Sequence, residues 1–387
     1  MPTNLPAEAK AKWLKALDAK DPHEKLQALQ EFLSAVPQHK GTEKLRAQVR
    51  AKIAALKREI EERKSKRSGG GPKIFIEKEG DAQIVVLSIT GAGRSSLLNR
   101  LTNAKPEISS RKFTTLKPVP GMYIYDGVMY QLIEAPPLIE GSADGEAWGS
   151  ILMTLVRNAD GVILLLDATS NVMEQYKLIV EELERAGVTV KKPKARVDVE
   201  RVSGGGMQVV LNGRLISCTL DDVKKLIASY KIFNCKVTIN GDATLDDIEE
   251  AILGGKVYKP AIIVINKTDL PYNIEDVELL KREANPLPVI GVSCATGFGL
   301  QIIGQALFNQ LELIRIYTKE PWEERPSSRP LVMKRGSTVQ DVAERIHSKL
   351  AKNLKHAKVW GPSVKYPGEK VGRDHLLSDG DIVELKA

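Results

Sequence analysis

The chain has 387 residues, of which 42% are apolar and 27% charged, with a formal net charge of +8; this excludes a mainly disordered chain and leaves room for two or three domains. Apolar runs such as Gly161-Val-Ile-Leu-Leu-Leu166 fall far short of the roughly 20 residues a membrane span needs, and Met1-Pro-Thr-Asn-Leu-Pro6 lacks the pattern of a secretory signal. Cys218, Cys235 and Cys294 are too scattered for a disulfide framework or a Cys-x-x-Cys metal site, and the five histidines show no ligand spacing, so a cytoplasmic protein without a membrane partner is expected.

Charge is uneven: residues 1–72 carry +7, residues 331–387 carry +4, and the stretch between carries −3. Leu26, Leu29, Phe32, Leu33 and Val36 recur at helical spacing, as do Leu45, Val49, Ile53, Leu56 and Ile60. The second set is interleaved with Lys44, Arg46, Arg50, Lys52, Lys57, Arg58, Arg63 and Lys64. Pro37-Gln-His-Lys-Gly41 separates the two segments and Ser68-Gly-Gly-Gly-Pro72 follows them, so residues 1–72 are predicted to form a basic helical hairpin. Basic ends around an acidic centre point to a polyanion such as RNA, met through residues 44–67 and the C-terminal module; ordinary solvated helix faces would give the same charge.

Past the hinge, apolar strand-like runs alternate with helical ones: Ile84–Leu87, Met122–Tyr125, Met129–Ile133, Val162–Leu166, Ala261–Ile265 and Val289–Val292. That alternation predicts a mainly parallel α/β sheet. Asp126-Gly127 is a two-residue turn signal, so its flanking strands should pair antiparallel. The sheet domain is assigned to 73–187 and 259–325, and 188–258, too long for a crossover, to an inserted α+β subdomain. Residues 331–387 form a last module with a helix expected over Val339–Leu350.

After the first strand comes Ser88-Ile-Thr-Gly-Ala-Gly-Arg-Ser-Ser-Leu-Leu98. A phosphate-binding loop would read G-x-x-x-x-G-K-[ST] there, using backbone N–H groups and a helix N-terminus to cradle phosphate. Gly93 and Ser95 match, while Ser88 and Arg94 stand where Gly and Lys belong. Gly91, Ala92, Gly93, Arg94, Ser95 and Ser96 are the candidate phosphate residues. Asn266-Lys-Thr-Asp269 follows a strand, the context in which N-K-x-D reads guanine: Asp269 accepts from the ring N–H and the exocyclic amine, Asn266 ties loops together, and the Lys267 stem packs on the base. Ser293-Cys294 follows the next strand, where the Cys294 N–H is expected on the base carbonyl. All three sites fall at C-terminal strand ends.

Phe113-Thr-Thr-Leu116, Val119-Pro-Gly-Met122, Asn266–Asp269, Gly204-Gly-Gly206, Tyr230-Lys-Ile-Phe233 and Val359-Trp-Gly361…Asp379-Gly-Asp-Ile-Val383 together resemble an Obg-type GTPase, more narrowly the developmentally regulated GTP-binding (DRG) proteins. The resemblance spans nearly the whole chain. It implies a P-loop, Ras-like GTPase domain with an inserted α+β subdomain, an N-terminal helical hairpin and a C-terminal TGS domain of ubiquitin-like β-grasp fold. It further implies GTP/GDP with Mg2+ as ligands, and work linked to RNA or the ribosome.

Departures accompany the matches. A D-x-x-G motif should end the third strand, yet the chain has Glu134-Ala-Pro-Pro137 there. Proline has no N–H, so Pro137 cannot make the backbone contact by which GTP is told from GDP. Ser95, Thr115 and Glu134 are the candidate metal residues. Arg94 replaces a compact ammonium by a planar fork; Leu138 stands where better-known GTPases carry a water-orienting glutamine, which Obg-type members also lack, so that change alone is not diagnostic. Two readings follow, a slow magnesium-dependent GTPase and a non-hydrolysing RNA- or ribosome-binding scaffold, and no catalytic residue is assigned.

Overall fold

The structure, a computed structural model, describes residues 7–19, 22–36, the positions 46, 49, 50, 52, 53, 56 and 60, and then 76–104, 118–144, 149–230, 232–252, 257–320, 322–323 and 325–386. The chain divides into two compact units, 74–192 with 257–387, and 1–73 with 193–256.

In the larger unit a six-stranded sheet runs Val289–Gly291, Ala261–Asn266, Gly161–Asp167, Ala82–Leu87, Val128–Glu134, Val119–Tyr125. The first five are parallel, and the last pairs antiparallel with Val128–Glu134 across Asp126-Gly127. Both turn residues have positive φ, 47° and 81°, as a tight hairpin of this twist requires. The central strands Ala82–Leu87, Gly161–Asp167 and Ala261–Asn266 are buried at every position, because helices cover both faces. Leu152, Val156, Ile179, Leu183 and Leu280 pack on one face; Leu97, Leu98, Ile303 and Leu307 pack on the other.

A second sheet, Leu331–Lys334, Leu313–Thr318, Ile382–Lys386, His356–Trp360, Glu369–Val371, has the mixed pairing of a β-grasp fold. Leu313–Thr318 belongs to it, so this module starts before residue 331 and takes part of the stretch assigned to the first domain. The helix expected over 339–350 is two: Val339–Ile346, opened by a Thr338/Asp341 capping box, and Ser348–Asn353. His347 divides them, extended at φ −165° with its ring accepting the Lys349 N–H. Arg315 joins module to sheet domain by donating to both carboxylate oxygens of Asp379 and to Asp126.

In the smaller unit Ala195–Arg201 pairs antiparallel and Met207–Leu215 parallel with Cys235–Ala243, and helices Leu220–Ser229 and Leu245–Ile252 cover one face. The insertion is shorter than 188–258, because Val188–Thr189 pairs with Val257–Tyr258 inside the larger unit. The N-terminal region departs from a two-helix hairpin. A helix Ala7–Asp18 precedes Pro22–Ala35, and the described positions between 46 and 60 are helical as well. That first helix packs through Ala9, Ala16 and Trp13; buried alanines carry little hydrophobic periodicity, which hid it.

The basic face expected over residues 44–67 also needs correction where it is described. Arg46 is buried, donating to the Leu33 and Val36 carbonyls at 2.9 and 2.6 Å, and so caps the helix Pro22–Ala35. Arg50 pairs with Glu249 at 2.5 Å above the Tyr230 ring, and Lys52 lies over Trp13. Guanidinium groups near helix C-termini and carboxylates are held more strongly there than in water. Lys44, Lys57, Arg58, Arg63 and Lys64 lie outside the described residues.

Candidate nucleotide site

The strand Ala82–Leu87 leads through Ser88–Gly93 into the helix Arg94–Leu101. Gly91 and Gly93 sit at φ 88° and 93°, the left-handed region that glycine tolerates. Gly93 is the N-cap and offers no side-chain cap. The first N–H groups of the helix, those of Arg94, Ser95 and Ser96, have no partner in its own ladder, which is the geometry that receives an anion. A Cβ at Gly93 would lie 2.4 Å from Asn266 Nδ2, so the loop and the N-K-x-D segment are in close approach.

Asn266 makes that approach specific. Its Nδ2 donates to the Ala92 carbonyl at 2.9 Å, and its Oδ1 accepts the Cys294 N–H at 3.0 Å. One buried side chain therefore ties the ends of three strands together. Lys267, at φ 67°, donates to Asp167 Oδ2 at 2.5 Å. Asp167 lies opposite Asn266 in the sheet register and also accepts from Thr169 N and Oγ1. Burial acts to raise the Asp167 pKa, but the Lys267 and Thr169 hydrogen bonds outweigh it and hold the carboxyl below its ordinary range. Asp269 is exposed at the rim.

The Cys294 assignment changes. Its single N–H is taken by Asn266, and burial raises the thiol to about 11, leaving it a neutral core group. Along 293–298, Ser293 N–H donates to Phe298 O, Thr296 N–H to Ser293 Oγ, Gly297 N–H to Ser293 O and Phe298 N–H to Thr296 Oγ1. Among these described residues only the Ala295 N–H is left for a ligand. The Cys294 and Ala295 carbonyls accept from Arg100 at 2.7 and 2.6 Å, which anchors this loop to the phosphate-loop helix.

At the phosphate end Ser95 Oγ donates to Glu134 Oε1 at 2.6 Å. A hydroxyl and a carboxylate are the hard oxygen donors that magnesium takes, so this pair suits that ion. Thr115, the remaining candidate metal residue, lies outside the described residues. Arg94 Nη1 donates to the Ala135 carbonyl at 2.8 Å; burial lowers its pKa to about 10, with Glu134 opposing, so it stays cationic at neutral pH. Pro137 is part-buried. Sequence pattern alone does not mark Asp167, Arg100 or Ala295; for Asp167 the one signal is its position at the end of a strand neighbouring Asn266.

Comparison with known proteins is consistent with this geometry. Residues 83–198 match the family described as a 50S ribosome-binding GTPase, 204–313 match the C-terminal region of that domain, and 314–387 match the TGS domain. A GTP-binding protein of Methanocaldococcus jannaschii is 34% identical over 94% of this chain and 92% of its own. Developmentally-regulated GTP-binding protein 2 of Homo sapiens is 31% identical over 94% of this chain and 98% of its own. A GTP-binding protein of Halobacterium salinarum is 33% identical over 94% and 98%. With a P-loop-type α/β domain followed by a TGS domain, and with such identity along nearly its full length, the chain belongs to the developmentally-regulated GTP-binding protein family.

Proposed function

We propose that this chain binds guanine nucleotide, hydrolyses GTP slowly or not at all, and acts on RNA or the ribosome in the cytoplasm. The observation that carries the first part is the Asn266 bridge from the Ala92 carbonyl to the Cys294 N–H. It ties the glycine loop to the strand that leads into Asp269 and to the loop that carries the Ala295 N–H; on this reading Asp269 would accept from the base and Ala295 would donate to its carbonyl. Gly91, Ala92, Gly93, Arg94, Ser95 and Ser96 would hold the diphosphate, and Ser95 with Glu134 would hold Mg2+, which supplies charge neutralisation for the phosphates when bound. Lys267, clamped by Asp167, would lie along the base. Slow hydrolysis is supported by Pro137, which has no N–H, and by Arg94, whose fork is engaged with Ala135.

The RNA part is supported by the open face of the second sheet. His356, Lys358, Lys370 and Lys386 stand on neighbouring strands there, and Lys319 lies 5.0 Å from the Trp360 ring centroid. Desolvation first, and then the charges of Lys370, Lys386, Lys358 and Lys355, hold the His356 imidazole below its ordinary pKa. The family description that names the 50S ribosome points the same way. A second reading, a scaffold that needs no nucleotide, is favoured by the same Pro137.

Calorimetry with GDP, GTP and ADP beside single-turnover GTP hydrolysis tests both. Binding of GDP with no heat for ADP is the expected result; equal heats would refute guanine recognition, and a rate far above the protein-free control would refute the weak-hydrolysis part.

A further inference from the structure

The segment after the strand Val128–Glu134 is tied down on several sides by the protein's own groups. Pro136 and Pro137 have no N–H to offer. Leu138 N–H donates to the Ser88 carbonyl at 2.9 Å and Ile139 N–H to Ser142 Oγ at 3.0 Å. Gly141 N–H donates to Glu182 Oε1 at 3.1 Å, and Ala143 N–H to Glu182 Oε2 at 2.7 Å. Glu182 comes from the helix Val172–Arg185, is only 1% exposed, and also accepts from Arg185 at 3.2 Å. On the other side Gly149 abuts the loop: a Cβ there would lie 2.0 Å from the Ser142 carbonyl. Leu138 and Ala143 are buried in the hydrophobic cluster of that face.

A loop that reports a terminal phosphate needs an N–H to give it and a second resting conformation without it. Here the N–H groups of Leu138, Ile139, Gly141, Ser142 and Ala143 are given to Ser88 O, Ser142 Oγ, Glu182, Ile139 O and Glu182 in turn. A buried carboxylate accepting two backbone N–H groups makes charge-assisted bonds, the strong class, and losing it would leave two desolvated donors. We infer that Glu182 is a positioning residue that holds 138–143 in one conformation with triphosphate, diphosphate or no nucleotide, so that this loop does not distinguish them. The nucleotide clause rests on the guanine reading above; the role of Glu182 in the free protein does not.

Hydrogen exchange of 138–143 in the full chain tests it, measured alone, with Mg-GDP and with a non-hydrolysable GTP analogue, while calorimetry reports occupancy. Wild-type protection should agree within about twofold in all three conditions. Glu182→Gln turns an amide donor toward an N–H, and should lower protection of this segment at least about tenfold in every condition while leaving strands 82–87 and 161–167 as they are. A gain above about tenfold in the wild type on adding the analogue would overturn the inference. So would a Glu182→Gln protein protected like the wild type. Should the variant also lose protection in those strands, the wild-type comparison decides alone. If neither nucleotide gives heat, the guanine reading falls and the Glu182→Gln contrast in free protein decides this one.

Discussion

Replacing Asn266 by alanine removes the hydrogen bond to Ala92 O at 2.9 Å and the one from Cys294 N–H at 3.0 Å. Both partners are buried backbone groups, and alanine leaves them without a substitute. At about 1 kcal/mol for each bond, rising toward 2 where the abandoned group stays dry, the larger unit should lose about 2–4 kcal/mol of stability. If as little as about 1.4 kcal/mol of this falls on the nucleotide-competent geometry, affinity for GDP drops about tenfold. Gly93→Ala attacks the same bridge from the other side, since its Cβ would meet Asn266 Nδ2 at 2.4 Å and its φ is 93°. A left-handed alanine costs about 1–2 kcal/mol, and the remainder of its effect should vanish in an Asn266→Ala background, because the bridge can be lost only once. Urea unfolding and calorimetric titration with GDP of the two single variants and the double provide the cycle. GDP affinity within threefold of wild type for Asn266→Ala, or strictly additive effects, would refute the account of Asn266 as the tie between loops.

Asp167→Asn should weaken guanine-nucleotide binding through Lys267 and remove part of the acid sensitivity of unfolding. The native Asp167 pKa is depressed, so its stabilisation is present above the ordinary carboxylate value of about 4 and is lost as pH falls through the native value; urea midpoints of both proteins between neutral and acid pH should therefore converge below it. Removing residues 1–67 strips Arg50 from Glu249 and Tyr230, so insert protection in hydrogen exchange should fall even where RNA binding survives. Lys358→Glu with Lys370→Glu reverses charge on paired neighbours of the open sheet face, and RNA affinity measured against salt should lose about two units of slope while GDP affinity stays as it was.

Much of the fold was legible because its elements obey simple periods. The apolar runs at 82–87, 161–167 and 261–266 are buried on both faces and so read as central parallel strands. Asp126-Gly127 announced the one antiparallel hairpin of that sheet. What escaped lacked such a signal. The helix Ala7–Asp18 hides its core face behind Ala9 and Ala16. The pairing of Leu313–Thr318 with the second sheet is long-range, and its alternation fits either domain. Arg46 and Arg50 look like surface charge in a list of residues, and only the fold supplies the carbonyls and the carboxylate that draw them inward.

Within the candidate site the same division holds, and it separates the two ends of the cleft. Residues at the base end stand on strand termini whose positions the sheet dictates, so Asn266 and Asp167, adjacent in register, could only meet across the same gap. The phosphate end depends on loops, where a group's partner is set by tertiary contacts that no spacing reveals: the Arg94 side chain reaches the Ala135 carbonyl, Ser95 Oγ reaches Glu134, and the Leu138 N–H reaches the Ser88 carbonyl. This explains how Pro137 can be tolerated without disturbing the fold. A proline that deletes one N–H is costly only where that N–H had a partner, and the following N–H groups of Leu138, Ile139, Gly141, Ser142 and Ala143 are satisfied by the chain itself. On the proposed reading, base recognition and phosphate sensing would be carried by different classes of structure, so that one could decay while the other is kept by the sheet that also holds the domain together.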